Sequence, residues 1–281
     1  MATTRALLGT PGANNSGFLT AGATTGNVLA ATLRPFSVVT QAGATMLDVP
    51  QATGDFAIPT VSTAPTGAWL IEGAAATPAS VVTGSVSLTP RSAAVVVEVS
   101  RQLLKQAPGM TDQLFESELL TTAGKLLDVA AIGGAGGVEP LGLLSCTGIA
   151  ATAGAALAWS SIVGMRADVL AGGAQESRLM WLADPATQEI LAGRERFAGA
   201  GEIWRDGRIA GIPAAASSSV PSGTLILGDW ASLAVAVWGG VVLERNPYAS
   251  FASGGESVRV LLAADVAVLR PQAFAIATSV T

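Results

Sequence analysis

The chain of 281 residues contains no histidine and only one cysteine. Histidine is the commonest general base and a common metal ligand, so its absence removes the Ser-His and Cys-His nucleophile pairs and most zinc, iron and copper sites. The single cysteine, Cys146, excludes an internal disulfide framework and suits a reducing compartment. Its apolar neighbours favour a small buried hydrophobe over a reactive thiol. The sequence therefore predicts no catalytic residue, no cofactor and no metal ligand.

Charged residues are also scarce, at 12% of the chain against roughly 25% in ordinary soluble domains. The mean hydropathy of +0.51 would make a freely tumbling monomer hard to keep in solution. We therefore expect other protein to cover much of the surface. A membrane is a poor alternative cover, because the long uncharged stretch 140–165 is interrupted by proline and glycine. Residues 1–18 contain no apolar run of signal-peptide length, which disfavours a secreted adhesin.

The chain carries a net charge of −5, and its only lysines are Lys105 and Lys125. Tight binding to nucleic acid depends on lysine and arginine side chains that displace counterions from the phosphates. A protein that grips nucleic acid is therefore disfavoured. The acidic balance is compatible with a container whose lining encloses DNA without binding it tightly.

Paired carboxylates are the remaining candidates for chemistry. The pairs are Glu116 with Glu118 and Glu195 with Glu202. Residues two apart on a helix do not face each other, so the first pair is poorly arranged for acid–base work. We interpret both pairs as solvated or ion-paired surface. A hydrolase is a rival that turnover by rigorously purified protein would revive.

The first part of the chain predicts an arm followed by short strands. Residues 1–34 are rich in Gly, Thr, Ala and Asn without a sustained period, which is typical of an extended segment. Strands are predicted at residues 36–39 and 46–49, and a third at 56–61 leads into the next segment.

The most informative segment begins at a tryptophan. Residues Trp69–Ile71 and Val81–Leu88 are predicted to pair as a hairpin, joined by residues 73–78, whose side chains are too small to build a core. An isolated two-stranded hairpin is marginally stable in water, so we predict that another subunit supports it. A strand at 95–99 follows, and Ser100 then caps a short helix.

A long helix is predicted over residues 111–132, where apolar residues recur every three or four positions. It ends at a glycine cluster, residues 133–137, because glycine lowers helix propensity and lets the backbone turn. Such a cluster could instead cradle a phosphate. A nucleotide-binding loop follows a strand and precedes a helix, however, whereas this one follows a helix. We therefore interpret it as a helix terminator.

Residues 143–243 alternate helical and strand patterns, which predicts an α/β region. The predicted elements are a helix capped by Ser160 or Ser161, a strand at 179–182, a helix begun by Asp184 and Pro185, a hairpin at Asp206-Gly207, and strands at 211–214 and 224–228. In residues 241–281, alternating valines predict long strands on either side of a turn at 263–265.

In this order the segments resemble the major capsid proteins of tailed bacteriophages with the Hong Kong 97-like fold. The matching motifs are Trp69-x-x-Glu72-Gly73, Val97-x-Val99-Ser100-x-x-Leu103-Leu104, Gly134-x-Gly136 before Pro140-x-Gly142, Gly211-x-Pro213, Gly228-Asp229-Trp230 and Pro271-x-Ala273-Phe274. Each motif is short, so the strength of the resemblance lies in their unbroken order along most of the chain.

The resemblance implies an α+β fold in four parts. The parts are an N-terminal arm (1–34), an extended hairpin loop (62–88), a peripheral domain (35–61, 89–140 and 244–281) with a long spine helix at about 111–132, and an α/β axial domain (141–243). In the family, the axial domain makes the contacts around fivefold and sixfold axes. The chain resembles the mature form, which begins with the arm and lacks an N-terminal scaffolding segment.

The resemblance also implies a structural protein and not an enzyme. It would self-assemble into pentamers and hexamers of an icosahedral shell that encloses double-stranded DNA. The implied partners are other copies of itself, a scaffolding protein, a portal, and a cement or decoration protein. The implied location is the virion, after assembly in the host cytoplasm, with no membrane involved.

The candidate inter-subunit contacts lie on or beside the extended hairpin loop, residues 62–88. They are Trp69, Glu72, Gly73, Pro78, Gly84 and Arg91. An arginine of an adjacent subunit could pair with Glu72, although a plain exposed turn explains that residue equally well. We interpret Trp69 as a buried anchor of the arm and not as a stacking platform for bases, because no basic residues surround it. Gly73 and Gly84 would let the arm bend differently in pentamers and hexamers.

Some relatives lock their shells with an isopeptide bond between a lysine of the extended loop and an asparagine of a neighbour. Residues 72–90 contain no lysine, so this chemistry is not carried over. Two alternatives share the fold that the resemblance implies, an encapsulin-like nanocompartment shell and a gene-transfer-agent capsid. A cargo-peptide groove would favour the nanocompartment, whereas long packaged DNA would exclude it.

Overall fold

The computed structural model describes residues 37–50, 54–63, 69, 82–100, 110–250 and 255–281, which form a mixed α+β fold. The α-helices in these residues are α1 (Val38–Ala42), α2 (Met110–Gly133), α3 (Trp159–Ala171) and α4 (Pro185–Gly193). The strands are β1 (Thr45–Val49), β2 (Phe56–Thr63), β3 (Val82–Leu88), β4 (Arg91–Ser100), β5 (Ala150–Ala153), β6 (Leu179–Ala183), β7 (Trp204–Arg205), β8 (Arg208–Ile209), β9 (Ile212–Ala216), β10 (Leu225–Asp229), β11 (Leu233–Ser250), β12 (Gly255–Val268) and β13 (Phe274–Thr278).

A four-stranded sheet runs in the order β1-β11-β12-β4 and packs against α2. Strand β1 is parallel to β11, while β12 is antiparallel to both of its neighbours. Along β4, Val95 and Val97 pack toward α2, whereas Val96 between them is exposed. Leu119 and Ala123 of the helix meet these valines and close the cluster. The alternation of β4 thus follows from its position between the helix and solvent.

A seven-stranded sheet runs in the order β5-β13-β10-β6-β9-β8-β7. Helix α3 covers it with Ile162, Met165 and Val169, which lie three and four positions apart and are fully buried. The core beneath holds Trp230 against Phe274, with ring centroids 5.8 Å apart in an edge-to-face arrangement. Most of the large buried side chains of the described residues belong to this core.

Several predicted elements are confirmed. Helix α2 spans Met110–Gly133 where residues 111–132 were predicted to be helical, and it ends at the glycine cluster. Asp184 caps α4 by accepting a hydrogen bond from the Thr187 N–H at 3.3 Å, and Pro185 begins the helix. The hairpin β7–β8 turns at Asp206 and Gly207, which both adopt positive φ.

The strand predicted at residues 36–39 is wrong, because Val38–Ala42 form helix α1. The Ser37 hydroxyl oxygen accepts a hydrogen bond from the Thr40 N–H, and Asp128 of α2 accepts bonds from the N–H groups of Val38 and Val39. A carboxylate far along the chain thus supplies acceptors that a short helix needs. The predicted cap of α3 at Ser160 or Ser161 is also wrong, since Ala158 is the N-cap and the helix already includes both serines.

Strands β2 and β3 form a two-stranded hairpin, with Phe56 opposite Leu88 and Thr60 opposite Gly84. The sequence predicted residues 69–71 as the partner of this strand, and of these, residues 70 and 71 lie outside the described residues. Pairing with β2 brings Leu88 into a buried cluster with Trp238 of β11. The predicted arm over residues 1–34 and the predicted helix after Ser100 lie outside the described residues.

The turn predicted at 263–265 is also wrong, because β12 continues through it without a break. Ala263 pairs with Trp238 on one side and Ser92 on the other, so both neighbouring strands hold the backbone extended. Asp265, which favoured a turn in the sequence, is instead bound by Arg91.

The two sheets do not follow the predicted division of the chain. Strand β11 begins at Leu233, so its first eleven residues precede the predicted boundary at 243/244, yet all of it belongs to the four-stranded sheet. Strand β13, placed by the prediction in the peripheral part, lies within the seven-stranded sheet between β5 and β10. Besides the passage from β4 to β5 through α2, the chain therefore crosses between the sheets at residues 229–233 and at 268–274.

Candidate assembly surface

The hairpin formed by β2 and β3, here called the arm, is attached at its base to the four-stranded sheet. Leu88 is fully buried with Val49, Ala236 and Trp238, and the Trp238 indole N–H donates a hydrogen bond to the Gly54 carbonyl oxygen at 3.2 Å. Toward the other end of β2 and β3, exposed residues predominate among those whose side chains are described. The arm is therefore a projection anchored at one end.

Trp69 lies beyond the end of β2 and its side chain is 103% exposed. The described residues thus leave the indole exposed in a single copy of the chain, and its predicted role as a buried anchor of the hairpin stays a prediction. A fully exposed tryptophan is unfavourable in water and is the residue type most enriched at interface hot spots.

The other arm candidates divide into described and undescribed residues. Glu72, Gly73 and Pro78 lie outside the described residues. Gly84 faces Thr60 across the hairpin, and a Cβ atom at Gly84 would lie 3.2 Å from the Thr60 hydroxyl oxygen. Glycine there serves the close fit of the two strands, and a contact with another subunit stays a prediction.

Arg91 is occupied within its own chain. Its Nη1 donates to Asp265 Oδ1 at 2.6 Å and its Nε donates to the Gly137 carbonyl oxygen at 3.0 Å. The Thr89 N–H donates to the second carboxylate oxygen of Asp265 at 2.8 Å, so this buried side chain has partners at both oxygens. The arrangement ties the start of β4 to β12 and to the turn after α2. Contact between Arg91 and another subunit stays a prediction.

The glycine cluster forms a tight turn and not a phosphate cradle. A Cβ atom at Gly134 would lie 2.2 Å from the Pro140 carbonyl oxygen, and one at Gly142 would lie 2.4 Å from the Gly134 nitrogen. The N–H groups of Gly134, Gly136 and Gly142 all donate to carbonyl oxygens of the turn or helix. The backbone donors are therefore already used, which confirms the helix-terminating interpretation.

Sequence reasoning missed Asp128, which is fully buried on α2. It accepts hydrogen bonds from the Ser37 hydroxyl at 2.6 Å, the Val38 N–H at 2.8 Å and the Val39 N–H at 3.1 Å. Burial raises the pKa of the Asp128 carboxyl above its usual value, and these hydrogen bonds oppose that shift. The sequence did contain a signal for this burial. Asp128 precedes the buried Ile132 by one helical turn, so its carboxylate lies on the apolar face of the helix.

Another buried carboxylate, Asp229, lies where the chain crosses between the sheets before β11. Arg270 Nη2 approaches Asp229 Oδ2 at 3.3 Å and the Ser232 hydroxyl oxygen at 3.0 Å. The Leu269 N–H donates to the Ser232 carbonyl oxygen at 2.8 Å. Arg270 therefore links the crossing before β11 to the crossing after β12. The motif Gly228-Asp229-Trp230 was recognised in the sequence, but the arginine partner was not.

The remaining candidates for chemistry show no special arrangement. Glu195 and Glu202 are exposed, and Glu195 accepts a bond from the Gly199 N–H. Cys146 is half-buried, and burial raises the pKa of its thiol, which disfavours the reactive thiolate. In the described part of the chain, no group of three or more Cys, Asp or Glu side chains is placed to hold a metal ion. None of the described helices combines the length and apolarity that a membrane span requires.

The two sheets, the long helix and the hairpin β2–β3 together form a fold that solved capsid structures share. The structure is similar to the capsid of a native GTA particle, with a TM-score of 0.68 and 16% sequence identity over 90% of this chain and 91% of that chain. It is also similar to a structure from Gordonia phage Cozz, with a TM-score of 0.66 and 16% identity over 86% of each chain. Identities of this size show a shared fold.

The sequence places the chain more narrowly within this class. Residues 17–279 match the model of the phage capsid family, and the chain belongs to that family. It is 31% identical over 250 residues to the major capsid protein of Halomonas phage phiHAP-1, an alignment that covers 87% of this chain and 41% of that relative. The chain thus spans about two fifths of the length of this curated relative. The resemblance predicted from the order of motifs is confirmed.

Proposed function

We propose that the chain is the major capsid protein of a tailed phage. It self-assembles into pentamers and hexamers of an icosahedral shell that encloses double-stranded DNA. The family match over residues 17–279 carries this proposal, and the name of the 31% identical relative supports it. The low charged fraction and the fully exposed Trp69 support it too, because both leave apolar surface for other copies to cover.

Within the proposal, each part of the fold takes a mechanical role. Helix α2 is the spine helix, and the four-stranded sheet beside it is the core of the peripheral domain. The seven-stranded sheet with α3 and α4 is the axial domain around the fivefold and sixfold axes. This assignment moves residues 233–243 to the peripheral domain and residues 274–278 to the axial domain, because sheet membership divides the chain there.

The contacts between subunits come from the extended hairpin loop (62–88), from the N-terminal arm (1–34) and from residues close to the hairpin. The proposed contact residues are Trp69, Glu72, Gly73, Pro78, Gly84 and Arg91. An interface of about 1,000 Å² per contact is modest alone, but several such contacts around each subunit give a large sum. Noncovalent burial therefore stabilises the shell.

The protein acts by assembly and not by catalysis, since its family is one of structural capsid proteins. Its partners are other copies of itself, with a scaffolding protein, a portal, and a cement or decoration protein as further candidates. It is a virion component that assembles in the host cytoplasm.

Electron microscopy of the purified chain tests the proposal. We expect closed shells of uniform diameter with fivefold and sixfold capsomers. A chain that stays monomeric at high concentration, with its arm folded back on its own body, would contradict it.

A gene-transfer-agent capsid is the second candidate, favoured by the fold similarity to the GTA particle. Sequencing the DNA from purified particles separates the two. One repeated genome indicates a phage, whereas mixed fragments of host DNA indicate a gene transfer agent.

A further inference from the structure

The four-stranded sheet and α2 contribute to two separate buried clusters. The larger cluster joins the core of the seven-stranded sheet to Leu127 of α2, Val237 of β11 and Leu262 of β12. The buried members of the smaller cluster are Leu119, Ala123, Val258 and Val260. Half-buried Val241 packs against both clusters. The four-stranded sheet therefore belongs to two packing units, and the boundary between them does not coincide with the division between the two sheets.

This boundary crosses α2 and β11 at glycines. In α2, the buried Gly124 lies between Ala123 of the smaller cluster and Leu127 of the larger one. In β11, Gly239-Gly240 lies just before Val241, which bridges the two clusters. A glycine in the interior of a helix or strand weakens it and gives the backbone more freedom than any other residue does. Both elements thus have a weak point at the same level of the fold.

The two glycines of β11 form a bulge in its ladder with β12. Trp238 pairs with Ala263, and the next paired residue of β11 is Val241, opposite Leu262, so β12 offers no residue opposite Gly239-Gly240. Both glycines have positive φ, 67° and 82°, which glycine adopts without strain. Pairing between β11 and β1 also ends at Trp238. A bulge disrupts the ladder locally and bends the strand, so β11 is least constrained here.

We propose that the part of the four-stranded sheet beyond this bulge tilts as a unit about a hinge at Gly124 and Gly239-Gly240. This unit, the distal block, consists of residues 95–100, 110–123, 241–250 and 255–260, and the body is the part of the fold built on the larger cluster. The tilt separates no residues within either cluster, and β4 and β12 continue across the boundary as a paired ladder that keeps the block attached.

The inference rests on the proposed function, in which one sequence occupies both pentamers and hexamers. A tilting block lets copies of the chain fit capsomers of different curvature while each copy keeps its two buried clusters. A bulge can also serve only to increase the twist of a rigid sheet. Gly124 favours the hinge, because a bulge that only twists β11 requires no weak point in the neighbouring helix.

Distances between spin labels test the tilt in the unassembled chain. One label is placed on the block with Val96→Cys and the other on the body with Val163→Cys in α3, both in a Cys146→Ser background. The control pair replaces Val96→Cys by Val138→Cys, which lies in the turn after α2, so both of its labels are on the body. All three valines are exposed. We expect double electron–electron resonance to give a broader distance distribution for the first pair than for the control pair. Equal widths would overturn the hinge.

Deleting Gly239-Gly240 tests whether the bulge causes this breadth. Trp238 and Val241 then become consecutive, opposite the consecutive Ala263 and Leu262, so the ladder closes in register. Removal of two residues also preserves the alternation of the two faces along the strand. We expect the deletion to narrow the distribution of the first label pair toward that of the control pair, with thermal unfolding as the check on the fold.

Stiffening the helix is an independent test that does not depend on folding of the deletion variant. Gly124→Ala raises helix propensity at the boundary and should also narrow the distribution of the first label pair. Gly164→Ala makes the same change in α3, where nothing lies within 4 Å of the added methyl group, and should leave the distribution unchanged. If Gly124→Ala leaves the distribution as broad as before, or if both substitutions narrow it equally, the hinge is wrong.

Electron micrographs then separate the role of the hinge from the proposed function. If the original chain forms no particles, the proposed function fails, and the label distances still decide whether the block tilts. If the original chain forms shells, we expect the deletion of Gly239-Gly240 to cause loss of shells that combine pentamers and hexamers, whereas Gly164→Ala keeps them. Unchanged shells from a folded deletion variant would show that the hinge has no part in fitting the two capsomers.

Discussion

Asp128 holds the start of α1 against α2 through three hydrogen bonds at a fully buried site. Asp128→Ala would leave the Ser37 hydroxyl and two backbone N–H groups without these acceptors. We expect the free energy of unfolding to fall by about 2–4 kcal/mol, since each unsatisfied buried donor costs about 1–3 kcal/mol and partial relaxation recovers some of it. Denaturant unfolding of assembly-incompetent monomer measures the change. Glu118→Ala, exposed on the same helix, should change it by less than about 0.5 kcal/mol.

The same carboxyl makes stability depend on pH. Burial raises the pKa of Asp128 in the folded state above the unfolded value of 3.8, so the folded chain retains this proton to higher pH. The stabilisation by Asp128 is therefore fully present below the unfolded pKa and falls as pH rises through the folded pKa. We expect the stability difference between the original chain and Asp128→Ala to shrink as the pH rises above the unfolded pKa of 3.8. A stability difference that instead grows with rising pH would contradict the predicted direction of the pH dependence.

At the scale of elements, the turn after α2 has no room for a side chain at Gly134. A Cβ atom there would lie 2.2 Å from one carbonyl oxygen and 2.6 Å from another, both of them backbone atoms. We expect Gly134→Ala to destabilise the fold by about 2–3 kcal/mol through forced backbone movement. Gly164→Ala is the matched control, because nothing lies within 4 Å of the added methyl group in α3. This control should stabilise the fold by up to about 1 kcal/mol, measured by thermal unfolding.

Arg270 links the crossing before β11 to the crossing after β12, so we expect its loss to weaken both. Arg270→Ala leaves the fully buried Asp229 carboxylate without its cation, for which we expect a loss of about 1–3 kcal/mol. Hydrogen exchange of the Leu269 N–H, which donates to Ser232, should also quicken. Arg259→Ala removes an exposed bridge to Glu244 and should cost less than about 1 kcal/mol. Equal losses of stability in Arg270→Ala and Arg259→Ala would show that Arg270 contributes no more than an exposed ion pair does.

At the scale of the whole molecule, sparse charge determines which force holds copies together. With 12% charged residues and a mean hydropathy of +0.51, we expect apolar burial to outweigh ion pairs in the proposed interfaces between copies. Raising NaCl from about 0.1 M to about 1 M shortens the Debye length from about 10 Å to about 3 Å. We expect assembled particles to survive this change, as followed by light scattering. Dissociation in high salt would instead indicate shells held by charge.

Sequence reasoning reached the long elements but not their partners. Helix α2 and strand β4 follow from apolar periods of 3.6 and 2, which are properties of neighbouring residues. The pairing of β3 with β2 and the continuation of β12 depend on burial around Trp238 and on its pairing with Ala263, which no local pattern reveals. For the assembly surface, the sequence singled out Trp69 and Arg91, and the structure showed one exposed and the other bound internally.

The sequence by itself determined the class of protein, because missing histidine, scarce charge and an ordered series of short motifs are visible without coordinates. Only the tertiary structure decided which groups meet. Ser37 and Asp128 are 91 positions apart, and Arg91 and Asp265 are 174 apart. A buried carboxylate takes its partners from wherever packing brings donors within about 3 Å, and packing is a property of the folded chain as a whole.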